Sequence, residues 1–79
     1  MDKRRRREHL GQVLARLRQQ AGLSQADVAV SLQRPQSFVS KYEAAQRRVD
    51  VPELEDIAAA LGLTLEAVVA AYQEQSDAS

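Results

Sequence analysis

The chain has no cysteine, so neither a disulfide nor thiolate chemistry holds it together. No run of apolar residues approaches the length needed to span a bilayer. The basic start, MDKRRRREHL, is followed by neither an unbroken apolar segment nor a cleavage-like site, so it does not read as a secretory signal. The expected setting is cytoplasmic, in association with the nucleoid. One histidine, His9, and no cysteine leave a metal without convergent ligands. The acidic stretch ELED has no partnering histidine, no serine with a base, and no glycine loop to cradle phosphate. The sequence therefore offers no enzyme and no cofactor site. It also shows no strand pattern and no internal repeat. Its 79 residues suffice for one small domain, whose core must be packed efficiently or extended by a partner.

Net charge is also absent, but its distribution is uneven. Residues 1–48 contain all 11 basic residues and only four acidic ones, Asp2, Glu8, Asp27 and Glu43, which makes that segment about +7. Residues 49–79 contain seven acidic residues and no lysine or arginine. A molecule polarised in this way can turn a basic side toward phosphate and an acidic side elsewhere.

What is present is helical periodicity, five times over. Leu10, Val13, Leu14 and Leu17 recur at spacings of three and four and predict helix 1 over residues 8–20, with an earlier start in the arginine run left open. Gly22 suits the left-handed position that ends this helix, after which Leu23 folds back onto it. Ser24 caps helix 2, with Asp27 placed favourably at its positive end. Val28, Ala29 and Leu32 form its inner face, and the small Ala29 lets the next helix cross closely. Helix 3 starts at Pro35 or Gln36, since proline fits a first turn, and runs to Glu43 or Ala44. AAQRRVD is a loop. Asp50 and Glu53 make a capping box for helix 4, with Pro52 in its first turn and Leu54, Ile57, Ala58 and Leu61 inward. Gly62 closes helix 4. Thr64 caps helix 5, where Leu65, Val68, Val69 and Tyr72 share a face. Residues 1–7 form a basic N-terminal arm or helix extension, residues 8–73 the domain, and residues 74–79 a frayed polar tail.

The segment from Leu23 to Glu43, LSQADVAVSLQRPQSFVSKYE, carries the functional signal. It predicts two short helices joined by a tight turn. The second places Gln36, Ser37 and Lys41 outward and Val39 and Tyr42 inward. A rigid helix with such an exposed face suits the edges of base pairs in a DNA major groove. Phe38 fits either the outer core or a contact with a thymine methyl.

Taken together, GLSQ, the small Ala29, PQSFVSKYE, VPELEDIAAALG and the short helix after it resemble the phage-repressor (Cro/C1, Xre-like) family. The resemblance covers Leu10 to Val69. It implies an all-α, five-helix, lambda-repressor-like DNA-binding domain with its helix-turn-helix at helices 2 and 3. It also implies roles. Gln25 resembles the glutamine that touches a phosphate and braces the reading helix. Gln36 resembles the leading glutamine of that helix, which pairs with adenine, and Ser37 and Lys41 take the other base-facing positions. Arg18 and Glu43 match a pair that ties helix 1 to the end of helix 3. Gln46, Arg48 and, sharing their task, Arg47 lie where the family's loop approaches the phosphates.

Two turns depart from the family pattern. Gln33 stands in the turn, and Ala44 and Ala45 stand after helix 3, where glycine is common. Without glycine, the expectation is a path that avoids the left-handed region or prolongs the helix.

The run from Lys3 to Arg7, with Arg4, Arg5, Arg6 and Arg7 as phosphate contacts, is read as a disordered arm entering a groove or a helix extension lying along the backbone, with plain solvated surface as the alternative. The adjacent His9 is read as exposed. One such module reads few base pairs, so double-stranded DNA is expected to be bound by a homodimer at an inverted repeat. Leu65, Val68, Val69 and Tyr72 are the interface candidates, although some of them must also close the core. The leading expectation is a stand-alone transcriptional regulator, a repressor without an effector domain. The alternative is an antitoxin or adaptor whose acidic half binds a second protein. Glu53, Glu55 and Asp56 are read either as an activating surface or as acids placed to suit a helix N-terminus.

Overall fold

Among the described residues five helices follow one another without a strand: α1 (Lys3–Gln20), α2 (Gln25–Leu32), α3 (Gln36–Glu43), α4 (Val51–Ala60) and α5 (Leu65–Asp77). The computed structural model describes residues 2–77, with side chains placed through Glu74. Each helix contributes at least one side chain to a common centre. Leu14, Val28, Val39, Ile57 and Val68, one from each, are at most 1% exposed. Burying a side chain of this size contributes roughly 1.5–3 kcal/mol, so these five residues bind the helices into one cooperative unit. α3 packs on both α1 and α2, while α5 packs on α1 and α4. Ala29 and Ala58 are buried at crossings, where small side chains admit a close neighbour.

The helix boundaries follow the expected chemistry in most places. The Ser24 hydroxyl accepts a hydrogen bond from the Asp27 amide at 3.0 Å, and the Asp27 carboxylate accepts one from the Ser24 amide at 2.9 Å. Asp50 and Glu53 repeat this reciprocal box at the start of α4, and the Thr64 hydroxyl accepts from the Ala67 amide at 3.1 Å. Each box satisfies amides that a helix start would otherwise leave unpaired. Gly22 takes φ +74°, and the Leu23 amide then donates to the Arg18 carbonyl at 3.1 Å, closing α1 as expected.

Three alternatives left open by the sequence are decided by the structure, and two expectations require correction. α1 begins at Lys3, not near Glu8, so the arginine run is a helical extension rather than an arm; the Asp2 side chain caps it by accepting from the Arg5 amide at 2.8 Å. Pro35 is not inside the first turn of α3. It is the preceding cap residue, with extended ψ of 152°, which suits a chain changing direction. Gln33 and Ala45 do enter the left-handed region, at φ 55° and 62°. Backbone hydrogen bonds fix them there: the Arg34 amide donates to the Ala29 carbonyl at 3.0 Å, and the Gln46 amide to the Lys41 carbonyl at 2.8 Å. These bonds satisfy the carbonyls at each helix end and offset the cost of a side chain at positive φ. Phe38 is buried in the core, which removes it from contact with a thymine. Finally, α5 continues through Asp77, so most of the expected tail is helical; Ala78 and Ser79 lie outside the described residues.

Candidate nucleic-acid interface

An eight-residue helix is too short to persist alone in water, so the geometry of α3 must come from its neighbours. Its inner face, Phe38, Val39 and Tyr42, is buried against the core. Phe38 and Tyr42 meet edge to face with centroids 5.5 Å apart, a favourable aromatic arrangement. Burial also pushes the Tyr42 hydroxyl far above its ordinary pKa. On the opposite side Gln36, Ser37 and Lys41 are all exposed. A rigid helix therefore presents three polar side chains to solvent, with its apolar side immobilised.

The end of α3 is fastened to α1 and α2 by one carboxylate. Glu43 accepts from Arg18 through both oxygens, at 2.7 Å from Nε and 3.1 Å from Nη2. The Gln25 amide nitrogen donates to the same carboxylate at 2.9 Å. Arg18 also donates to the Leu23 carbonyl at 2.9 Å. The Arg18 and Glu43 side chains are only 13% and 7% exposed, so water screens the pair weakly. Gln25 thus braces α3 directly.

Gly11 is part of the same junction, and the sequence reading did not single it out. The backbone of α1 passes so close to the end of α3 that a Cβ at Gly11 would lie 2.5 Å from the Glu43 carbonyl oxygen and 2.8 Å from that of Tyr42. The signal that could have found it is a glycine in the middle of an otherwise periodic helix, which costs stability unless a close approach requires it.

A second cluster lies on the flank of α3. Arg47 grips Glu53 with two hydrogen bonds, Nη1 to Oε1 at 3.0 Å and Nη2 to Oε2 at 2.7 Å. It also donates to the Arg48 carbonyl at 2.7 Å. Arg34, from the turn between α2 and α3, reaches the same carboxylate at 3.8 Å. The guanidinium carbons of Arg34 and Arg47 stand 4.7 and 4.5 Å from the centre of the Phe38 ring, within cation–π range. The hydrogen bonds from Arg47, then the one from the Asp50 amide, hold the Glu53 carboxyl down at about 2. Glu53 is therefore not part of a free acidic surface, whereas Glu55 and Asp56 are exposed. Arg48 and Gln46 are exposed and Arg47 is half-buried, so the loop does not present its three polar residues alike.

The basic extension is divided between two faces. Lys3, Arg6 and Arg7 line a groove of about 600 Å³ together with Arg48 and apolar side chains of α1, α4 and α5. Arg4 faces elsewhere and pairs with Glu8 at 3.5 Å, with 88% of its side chain exposed. His9 is not simply exposed: its Nε2 lies 2.9 Å from the Tyr72 carbonyl oxygen and its ring 4.8 Å from the Tyr72 ring, tying α1 to α5. Of the expected interface residues, Val68 is fully buried in the core, Leu65 and Tyr72 are half-buried, and Val69 is 37% exposed. Among the described residues no cluster suits a metal ion, and no helix is long and apolar enough to cross a membrane.

The fold recurs in other proteins. The family described as helix-turn-helix domain matches residues 9–71. An XRE-family-like protein from Pseudomonas syringae pv. tomato is 38% identical, with 90% of this chain and 87% of that one covered and a TM-score of 0.80. The restriction-modification controller protein C.AhdI from Aeromonas hydrophila is 31% identical over 77% of this chain and 92% of its own, with a TM-score of 0.73. The clp gene regulator ClgR from Corynebacterium glutamicum shares the fold at 23% identity and a TM-score of 0.81, over 89% of this chain and 91% of its own. No curated protein matches the chain.

Proposed function

The chain belongs to the helix-turn-helix domain family of XRE and Cro/C1 type, a family of DNA-binding transcriptional regulators and not of enzymes, and we propose that it is a sequence-specific repressor acting as a homodimer on an inverted-repeat operator. One observation carries this reading. Gln36, Ser37 and Lys41 stand exposed on a helix whose other face is locked into the core. Glutamine offers a donor and an acceptor that match adenine in the major groove, and lysine matches guanine.

Affinity in this reading comes from cationic and amide side chains around that helix. Arg48 and Gln46 flank it in the following loop, and Gln25, while bracing Glu43, keeps a second amide hydrogen for a phosphate. Arg4, Arg5, Arg6 and Arg7 add a longer-range attraction. Four arginines beside the positive end of α1 oppose its own dipole, and a local conflict of this kind is expected where function demands it. Repression then needs no further surface, because occupancy of a promoter excludes other proteins from it. The dimer is built from the outer side of α5, with Leu65, Val69 and Tyr72 as its apolar residues; the burial of Val68 withdraws that residue from the set. Such a pair places two reading helices about 34–36 Å apart, one turn of duplex.

Substitution of Gln36 tests the central assignment. Gln36→Ala should cost about 1–3 kcal/mol on the preferred site, or roughly 5- to 150-fold, with little loss on random duplex. Arg48→Ala should weaken both DNAs evenly. Equal losses on specific and random DNA for Gln36→Ala, measured by fluorescence anisotropy, would remove its role in reading bases.

A further inference from the structure

Arg47 stands in the loop that follows the reading helix, where a free guanidinium would meet the DNA backbone. It is not free. Its planar fork closes on both oxygens of Glu53 at 3.0 and 2.7 Å, the two-point geometry by which arginine also grips a phosphate. Arg34 approaches the same oxygen from the turn that precedes α3, at 3.8 Å. Phe38 lies beneath both guanidinium groups and is itself fixed in the core. The Glu53 carboxylate is fixed too, because one of its oxygens accepts the Asp50 amide in the capping box at 3.1 Å, and its side chain is only 16% exposed.

We propose that Glu53 is a built-in substitute for a DNA phosphate, which withholds Arg34 and Arg47 from the duplex and so limits how much of the domain's affinity is independent of sequence. The inference rests on the DNA-binding reading above. Its physical basis is counterion release: each phosphate neutralised by a lysine or arginine raises affinity for every sequence alike and steepens the dependence on salt. Two cations flanking α3 would therefore strengthen binding to random DNA as readily as to an operator. Held on Glu53, they support the loop and the reading helix instead, and the base-facing residues of α3 contribute a larger part of the interaction. Glu53 is in this sense a positioning residue, acting through two arginines and touching no base.

The test is the salt dependence of binding to a random-sequence duplex between about 50 and 200 mM salt. Glu53→Gln keeps an oxygen for the Asp50 amide but removes the charge. It should tighten binding at low salt and steepen the slope of log K against log salt by about 1 to 2, at roughly 0.9 for each phosphate newly neutralised. The triple change Glu53→Gln/Arg34→Gln/Arg47→Gln should return the slope to that of the unaltered protein. Arg47→Gln alone should leave the slope where it was, and this variant carries the test should Glu53→Gln fail to fold by circular dichroism. An unchanged slope in folded Glu53→Gln, or a slope reduced by about 1 in Arg47→Gln, would overturn the proposal, the latter because Arg47 would then already be on a phosphate. If the unaltered protein shows no salt-dependent affinity for DNA, the DNA-binding reading fails and this inference fails with it. If it binds and only the Glu53→Gln slope is unmoved, this inference fails alone.

Discussion

Glu43→Ala should lower the unfolding free energy by about 3 kcal/mol, the low end for a buried pair broken by removing one partner. The melting temperature should fall by roughly 12–24 °C, since each kcal/mol corresponds to about 4–8 °C in a domain of this size. The loss is large because Glu43 is the shared acceptor of Arg18 and Gln25, and its removal leaves a largely buried guanidinium without its counter-charge. The double variant Arg18→Ala/Glu43→Ala should be destabilised by less than the sum of the two single changes. That non-additivity separates a true tie from two unrelated losses. Thermal unfolding followed by circular dichroism provides all three values. Additive effects would mean that the pair contributes nothing as a pair, as many exposed ion pairs do.

Gly11→Ala should destabilise by about 2 kcal/mol, in the direction opposite to helix propensity. Alanine inside an exposed helix is favoured over glycine by roughly 1 kcal/mol. Here the added methyl would meet two backbone carbonyl oxygens, which cannot turn aside as the end of a flexible side chain can. Either α1 lifts away from the end of α3 or α3 tilts, and overpacking of this kind costs about 1–3 kcal/mol and at times more. The shift would also stretch the Arg18–Glu43 contact, about two turns further along α1. A melting temperature that stays level or rises in Gly11→Ala would show that the helices can separate freely at this junction.

The number of helices, the caps at Ser24, Asp50 and Thr64, and the core were legible in the sequence because they depend on local pattern. Spacings of three and four placed Leu14, Val28, Ile57 and Val68 on inner faces, and Ser24 and Asp50 announced helix starts. The contents of the site were legible only where one helix face determines exposure, as at Gln36, Ser37 and Lys41. Contacts between distant segments were harder to read. The partner of Gly11 lies some thirty residues away, at the end of α3, and no local rule connects the two. Glu53 reads as a capping residue and is one, but its second role depends on where the loop returns Arg47. Gln33 and Ala45 defeated the glycine rule because the next amides, of Arg34 and Gln46, bond back to the Ala29 and Lys41 carbonyls and hold the turn at positive φ, a local capping geometry that single-residue propensity does not contain. The start of α1 stayed open in the sequence because a run of arginines looks solvated; in the structure Asp2 caps it and Lys3, Arg6 and Arg7 lie along a groove shared with α5.

Selection of bound sequences from a random pool of DNA duplexes tests the central claim most directly. The claim is that an α3 fixed by Val39, Tyr42 and Glu43 reads bases through its exposed side, and that two copies do so together. Selection should return one enriched motif arranged as an inverted repeat, with half-site centres one turn of duplex apart, about 10–10.5 base pairs. The motif should change at a defined position when the selection is repeated with Gln36→Ala. A pool that emerges without an enriched motif, while the protein remains folded and still binds DNA, would contradict the claim.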